Sequence, residues 1–173
     1  RIRNPQTGKG GFEIAHRHYD LGNDLFSRML DKSMSYTSGY WHTASTLDAA
    51  QEAKLELLCQ KLQLSPGMTV LDIGCGWGNF AEYAARTRQV HVTGITVSKE
   101  QASLAKERTR SLPVSIEVVD YQKFSGRFDR IVSIEMIEAV GRKNMGSFFR
   151  KVSECLKPGG LFALQEIGRA SCR

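Results

Sequence analysis

Three glycines at alternate positions, Gly74, Gly76 and Gly78, follow the apolar run Thr69 to Ile73 and precede Asn79-Phe80-Ala81-Glu82-Tyr83-Ala84-Ala85. The run reads as a buried parallel strand, and the segment after the glycines as a helix. Glycines at a strand-to-helix turn reach positive φ and let the backbone approach a ligand with no Cβ in the way. The helix start then presents free N–H groups to that ligand. A second strand–helix unit begins about twenty residues on, which turns a common glycine pattern into the loop of a nucleotide-type cofactor. A tight turn with a purely structural role is the competing reading.

The spacing narrows the cofactor. A dinucleotide loop requires GxGxxG, and this one is a residue short. No Lys-Ser/Thr follows, so a phosphate-cradling P-loop is excluded. The stretch LDIGCGWG resembles motif I of class I S-adenosylmethionine (SAM) methyltransferases. That resemblance implies that Asp72, Ile73, Gly74, Cys75, Gly76, Trp77 and Gly78 pack against the methionine and ribose portions of SAM.

Other residues able to do chemistry sit at predictable places. Met34 to Trp41 (MSYTSGYW) is aromatic and hydroxyl-rich, and reads either as a packed loop or as a lid whose hydroxyls and rings line a pocket. Thr96 and Gln101 stand where many nucleotide-binding folds place an acidic residue after the second strand. Tyr121 offers a face for an adenine and Asp120 an acceptor for its amino group. His16 and His18 have no further ligands around them and are read as surface or packing residues, not as a metal site.

Alternating strands and helices must position these groups. A helix is expected from Thr46-Leu47-Asp48 to about Leu62, with Leu55, Leu58, Cys59 and Leu62 on one buried face. Ser65-Pro66-Gly67 is a turn into the first strand. Strands are expected at His91–Thr96, Val114–Val119, Phe128–Ser133 and Leu161–Gln165, and Ser98-Lys99-Glu100-Gln101 is a capping box. Asn144 to Leu156 is expected to be a helix burying Phe148, Phe149, Val152 and Leu156, stopped by Lys157-Pro158-Gly159-Gly160. The pattern predicts an α/β, Rossmann-like, doubly wound parallel sheet with right-handed crossovers. Ligands of such sheets gather beyond the carboxyl ends of the strands, here Gly74, Thr96, Tyr121, Glu135 to Glu138 and Gln165.

Composition bounds the rest. The 173 residues carry a net charge of +6, and 41% are hydrophobic. The mean hydropathy is −0.31 and the pI about 9.3. The basic charges are scattered, and no basic cluster with interleaved aromatics argues for nucleic acid. No run reaches the length of a transmembrane span. Cys59, Cys75, Cys155 and Cys172 form no CxxC pair, and a reducing, cytoplasmic setting is expected. Residues 1–13 read as a linker from an upstream segment, 14–64 as a helical lid or substrate segment, and 65–167 as the cofactor-binding core without its C-terminal strands. Residues 168–173 read as a foreign tail. Without Arg169 and Arg173 the net charge falls by two, to +4. A piece of this kind is expected to be inactive by itself.

HYDLGNDLFSRMLD, YTSGYW, AKLELLC, LDIGCGWG, GITVSKEQ, FDRIVSIEMIEAVG and LKPGG together resemble the cyclopropane-fatty-acyl-phospholipid synthase family from about Ile14 to Ile167. The resemblance implies methyl transfer from SAM to the cis double bond of an acyl chain of a membrane phospholipid, by a cytoplasmic enzyme peripheral to the membrane. A carbocation formed on the chain needs a dry, aromatic-lined site, for which Tyr19, Tyr36, Tyr40 and Trp41 are candidates. By motif position Tyr36, Thr37, Thr96 to Gln101, Tyr121 and Gln122 would join the glycine segment in holding SAM.

The family also implies a bicarbonate ion as proton acceptor, held by the Cys of a YSCAYW-like loop, the Glu of an FEHVG-like segment and a His on the fifth strand. Those positions here are Ser38, Glu138 and Gln165, and the His after the Glu is Ala139. Ser and Gln still hydrogen-bond an anion. Glu138 is then a candidate base, and the product is a cyclopropane or a methylene- or methyl-branched chain. Two alternatives stay open: a small-molecule or amine methyltransferase on the same scaffold, and a SAM-binding module without catalysis.

Overall fold

The computed structural model describes residues 23–167. Five strands, β1 (Thr69–Ile73), β2 (His91–Thr96), β3 (Val114–Val118), β4 (Phe128–Ile134) and β5 (Leu156–Gln165), form one sheet in the order β3-β2-β1-β4-β5. Every adjacent pair is parallel. The chain runs outward from β1 to β3, then crosses back to lay β4 on the other side of β1. That reversal opens a crevice at the carboxyl ends of β1 and β4. The expected doubly wound sheet is therefore present.

The helices are α1 (Asn23–Met29), α2 (Leu47–Lys61), α3 (Asn79–Arg88), α4 (Lys99–Thr109), α5 (Ile137–Val140) and α6 (Met145–Cys155), with a 3-10 turn at Arg142–Asn144. Local chemistry starts two of them. The Thr46 hydroxyl accepts from Ala49 N at 3.3 Å, and the Ser98 hydroxyl from Gln101 N at 3.2 Å.

The pleat of β1 divides the core. Val70 joins Leu55, Leu58 and Cys59 of α2, Leu62 just after it, and Phe80 and Ala84 of α3 on one face. Leu71 and Ile73 join Ile131, Phe148 and Val152 on the other. β4 alternates the same way, with Val132 on the first face and Ile131 on the second. Phe148 is wholly buried, and a ring so placed stabilises by about 2–3 kcal/mol.

Two local expectations need correction. Phe149 is 44% exposed, because it follows Phe148 on a helix whose inward stripe is narrow; it sits edge-on to Phe148 at 5.5 Å. The helix ends at Cys155, and Lys157-Pro158-Gly159-Gly160 belongs to β5. Phe128 pairs with Leu156 and Arg130 with Leu161, so the chain advances two residues on β4 but five on β5. The extra residues form a bulge, with Gly159 at φ +74°. The bulge brings the Lys157 ammonium within 3.0 Å of Asp129 Oδ1.

Candidate active site

The carboxyl ends of β1, β2 and β4 open into a cleft with a cavity volume of about 200 Å³. The glycine turn forms its floor. Gly74 N and Cys75 N both donate to Ile95 O, at 2.9 and 3.0 Å, which fastens the turn to β2. Gly74 lies at φ +82°, and a Cβ there would meet Met136 Sδ at 2.9 Å. Gly76 lies at φ +54° with nothing within 4 Å of the place its Cβ would take, and it lines the cleft. Ile73, Cys75 and Trp77 line it as well.

Gly78 does not line the cleft. A Cβ there would sit 3.0 Å from Ala105 Cβ, so this glycine serves the close approach of α3 to α4, not a ligand.

Asp72 is 2% exposed, and its Oδ2 has no hydrogen-bond partner. Burial pushes its carboxyl up to about 7. A buried acceptor without a donor, beside an open glycine turn, suits a ligand carrying positive charge.

The second and third strand ends complete this half. The Thr96 hydroxyl donates to Gln101 Oε1 at 2.9 Å, and both residues are buried at the cleft wall. Asp120 and Tyr121 line the cleft, with Tyr121 edge-on to Phe148 at 5.5 Å. Gln122 lies outside the lining. Its amide donates to the Tyr121 hydroxyl at 3.2 Å and its backbone N to Asp120 Oδ1 at 2.9 Å, so it steers the two lining residues.

The loop after α1 covers the cleft. Buried Asp31 gathers it, accepting from Ser35 N at 2.8 Å and Ser33 N at 3.0 Å. α2 holds the next stretch with two buried polar side chains that its apolar spacing did not announce. Gln51 Nε2 donates to Thr37 O at 2.7 Å, and Lys54 Nζ donates to the Thr37 hydroxyl and, at 2.6 Å, to Gln51 Oε1. Burial lowers the Lys54 ammonium to about 8 against the opposing attraction of Glu135 and Asp31. Tyr36 and Thr37 consequently line the cleft, with Tyr36 edge-on to Phe26 at 5.5 Å. Tyr40 and Trp41 do not line it; they are 42% and 54% exposed, because the chain has already turned away to join α2. Tyr19 falls outside the described residues, as do His16 and His18. Among the described residues no cluster of metal-ligating side chains occurs.

Ser38 and Gln165, expected to share an anion with Glu138, instead converge on Glu135. Ser38 N donates to Glu135 Oε1 at 2.9 Å, the Ser38 hydroxyl donates to the same oxygen, and Gln165 Nε2 reaches it at 3.0 Å. Gln165 Nε2 also lies 3.1 Å from the Ser38 hydroxyl oxygen. Glu135 lines the cleft, whereas Glu138 is exposed and does not. The reason is local: the chain leaves β4 with Glu135 at φ +48°, then starts α5 at Ile137, whose outer face takes Glu138. Sequence reasoning places Glu135 with Glu138 at the end of the fourth strand, where a parallel sheet gathers its polar groups, but gives the catalytic role to Glu138 and none to Glu135.

Glu166 supports the same corner. Its Oε1 accepts from Met136 N at 3.1 Å and Ile137 N at 3.0 Å, and burial raises its carboxyl above the ordinary value.

These residues fit SAM. The orphaned Asp72 carboxylate suits a cationic donor, Gly76 leaves room for it, and Thr96, Gln101, Asp120 and Tyr121 offer a polar rim with an aromatic face for a nucleoside.

Comparison with known proteins agrees with this geometry. The family model described as mycolic acid cyclopropane synthetase matches residues 7–173. The cyclopropane-fatty-acyl-phospholipid synthase of Escherichia coli (strain K12) is 51% identical over 168 residues, covering 97% of this chain and 44% of that protein. The structure of mycolic acid cyclopropane synthase CmaA1 complexed with SAH and CTAB superposes with a TM-score of 0.85 at 35% identity, over 88% of this chain and 55% of that one. Coclaurine N-methyltransferase bound to N-methylheliamine and SAH gives a TM-score of 0.81 at 28% identity, over 88% and 45%. The chain thus spans about half or less of the length of these relatives.

Proposed function

The chain belongs to the mycolic acid cyclopropane synthetase family, and from that premise we propose that the protein it represents methylates the cis double bond of an unsaturated phospholipid acyl chain, using SAM, to give a cyclopropane. The observation that carries this reading is one cleft lined both by the glycine turn with the unpartnered Asp72 carboxylate and by the apolar side chains of Met34, Ile134, Met136 and Val140, with Glu135 among them.

SAM supplies, when bound, a methyl group on a positively charged sulfur. Asp72 offers that charge a buried counter-ion, and Gly74 to Gly76 let the backbone close on it. Met34, Ile134, Met136 and Val140 receive the apolar chain and keep water from the carbon that becomes positive as its π electrons are drawn away. Thr37, pinned by Gln51 and Lys54, holds the covering loop, with Tyr36 beside it, over the reacting pair.

The substrate lies in a lipid surface, which makes the protein a peripheral one working from the cytoplasm. No helix among the described residues is long and apolar enough to cross a membrane. The basic balance, +6 over the chain and +4 without Arg169 and Arg173, favours an anionic surface.

A second reading, an amine methyltransferase, is favoured by one observation: a carboxylate, Glu135, at the cleft wall would also attract an ammonium. The test is partition of label. Full-length protein is given methyl-labelled SAM with vesicles of cis-unsaturated phospholipid and a panel of soluble amines. Label in the acyl chains supports the lipid reading, and label in an amine alone rejects it.

A further inference from the structure

The donors that the family resemblance reserves for bicarbonate are already taken. Ser38 N, the Ser38 hydroxyl and Gln165 Nε2 all point at Glu135 Oε1. A free anion at that place would have to displace a carboxylate tied to its own backbone, so bicarbonate does not fit here. The tie has a conformational cost: Glu135 sits at φ +48°, a region in which a side chain other than glycine's is unfavourable by about 1 kcal/mol or more. Glu135 N is fixed there by donating to Gln165 O at 2.8 Å. Strain of this kind, held by three donors at a cleft wall, marks a group placed for use. Oε2 of Glu135 accepts no hydrogen bond among the described residues.

We propose that the Glu135 carboxylate replaces bicarbonate as the proton acceptor of the reaction, with Ser38 and Gln165 anchoring one oxygen and leaving the other for the proton. The proposal rests on the lipid reading above. The alkene π pair forms a bond to the methyl carbon, and the sulfur–methyl bond breaks with its electrons on sulfur. The neighbouring chain carbon is then positive. A C–H bond of the new methyl group gives its electron pair to that carbon, which closes the ring. The proton passes to Glu135 Oε2 and from there to solvent. A hydrogen beside a carbocation is acidic enough for a carboxylate to take it without special basicity. The anion also stabilises the positive carbon beforehand, as a fixed charge in a dry site.

The test uses full-length protein in carbon-dioxide-free buffer, with and without added bicarbonate, as wild type, Glu135→Gln and Glu135→Gly. The expected results are a wild-type rate indifferent to bicarbonate and a loss of at least about 100-fold in Glu135→Gln with SAM affinity kept. Glu135→Gly relieves the backbone but gives up three hydrogen bonds, so a thermal melt confirms that it is folded at the assay temperature before its kinetics are read. This variant should bind bicarbonate measurably by calorimetry, where wild type does not, and recover rate when the ion is added. A wild-type rate that falls on bicarbonate removal, bicarbonate binding by wild type, or full activity in Glu135→Gln would each overturn the proposal while leaving the lipid reading intact. Label found only in an amine would overturn both.

Discussion

Ser38 donates its backbone N–H at 2.9 Å and its hydroxyl to one oxygen of Glu135, although 97 residues separate the two in the chain. This pair ties the loop over the cleft to the end of β4, so covering the site and orienting its carboxylate are one event. Ser38→Ala keeps the amide donor and removes the hydroxyl. The expected outcome in full-length protein is a fall in kcat of roughly tenfold, the equivalent of one charge-assisted hydrogen bond. SAM affinity should be unchanged in calorimetry.

Asp72 predicts a pH dependence of stability. Its folded carboxyl stands at about 7, above the unfolded value of 3.8, so the folded state holds the proton more tightly. The stability associated with that proton is complete below pH 4 and is lost as pH rises through about 7, at up to about 1.4 kcal/mol per pH unit. Thermal melts of the ligand-free protein should therefore fall between pH 4 and pH 7. Asp72→Asn should flatten that slope, and bound SAM should restore the wild-type melting temperature near neutrality.

The glycine turn separates two effects within one motif. Gly74→Ala forces a Cβ to within 2.9 Å of Met136 at φ +82°, so it should destabilise by about 1–3 kcal/mol. Gly76→Ala meets no atom within 4 Å, so only its φ of +54° opposes it, at about 1 kcal/mol. It should nonetheless weaken SAM binding more than ten-fold, because its methyl enters the space the ligand needs. Calorimetry alongside chemical denaturation distinguishes the two variants.

Asp129 joins β1 to the bulge of β5. Its Oδ2 accepts from Thr69 N at 2.8 Å and Thr69 Oγ1 at 2.7 Å, and Lys157 lies 3.0 Å from Oδ1, which holds the carboxyl well below its ordinary value. Its side chain is about a third exposed (32%), so solvent screens part of that gain. Asp129→Asn should lower stability by about 1 kcal/mol at neutral pH. With the folded value depressed, the contribution is full above the unfolded carboxyl range, begins to fall as pH drops below about 4, and is lost only as pH passes through the much lower folded value, so wild type and variant should draw together steadily on acidification.

What the sequence disclosed follows from how local each signal is. The strand before Gly74, the helix after Thr46, the cap at Ser98 and the buried stripe of α2 depend on neighbours a few residues away, and each is found as expected. Glu135 and Glu138 lie three residues apart in one motif, and only the backbone break after β4 decides which carboxylate turns to the cleft. Gln51 and Lys54 are buried because the loop they hold offers Thr37 as a partner, a contact across 14 and 17 residues that no periodicity reports. Tyr40 and Trp41 carry the aromatic chemistry of a pocket wall, yet Tyr40 N donates to Ala50 O at 2.9 Å and the chain leaves the cleft there.

The most direct measurement uses SAM with a fully deuterated methyl group, cis-unsaturated phospholipid and the full-length protein, followed by mass spectrometry of the acyl chains. Methyl transfer followed by ring closure predicts an acyl chain that gains one carbon and keeps two of the three deuterium atoms, the third having left as the proton taken by the enzyme. An acyl chain that keeps all three, or lipid that gains no label while SAM is consumed, would contradict the account.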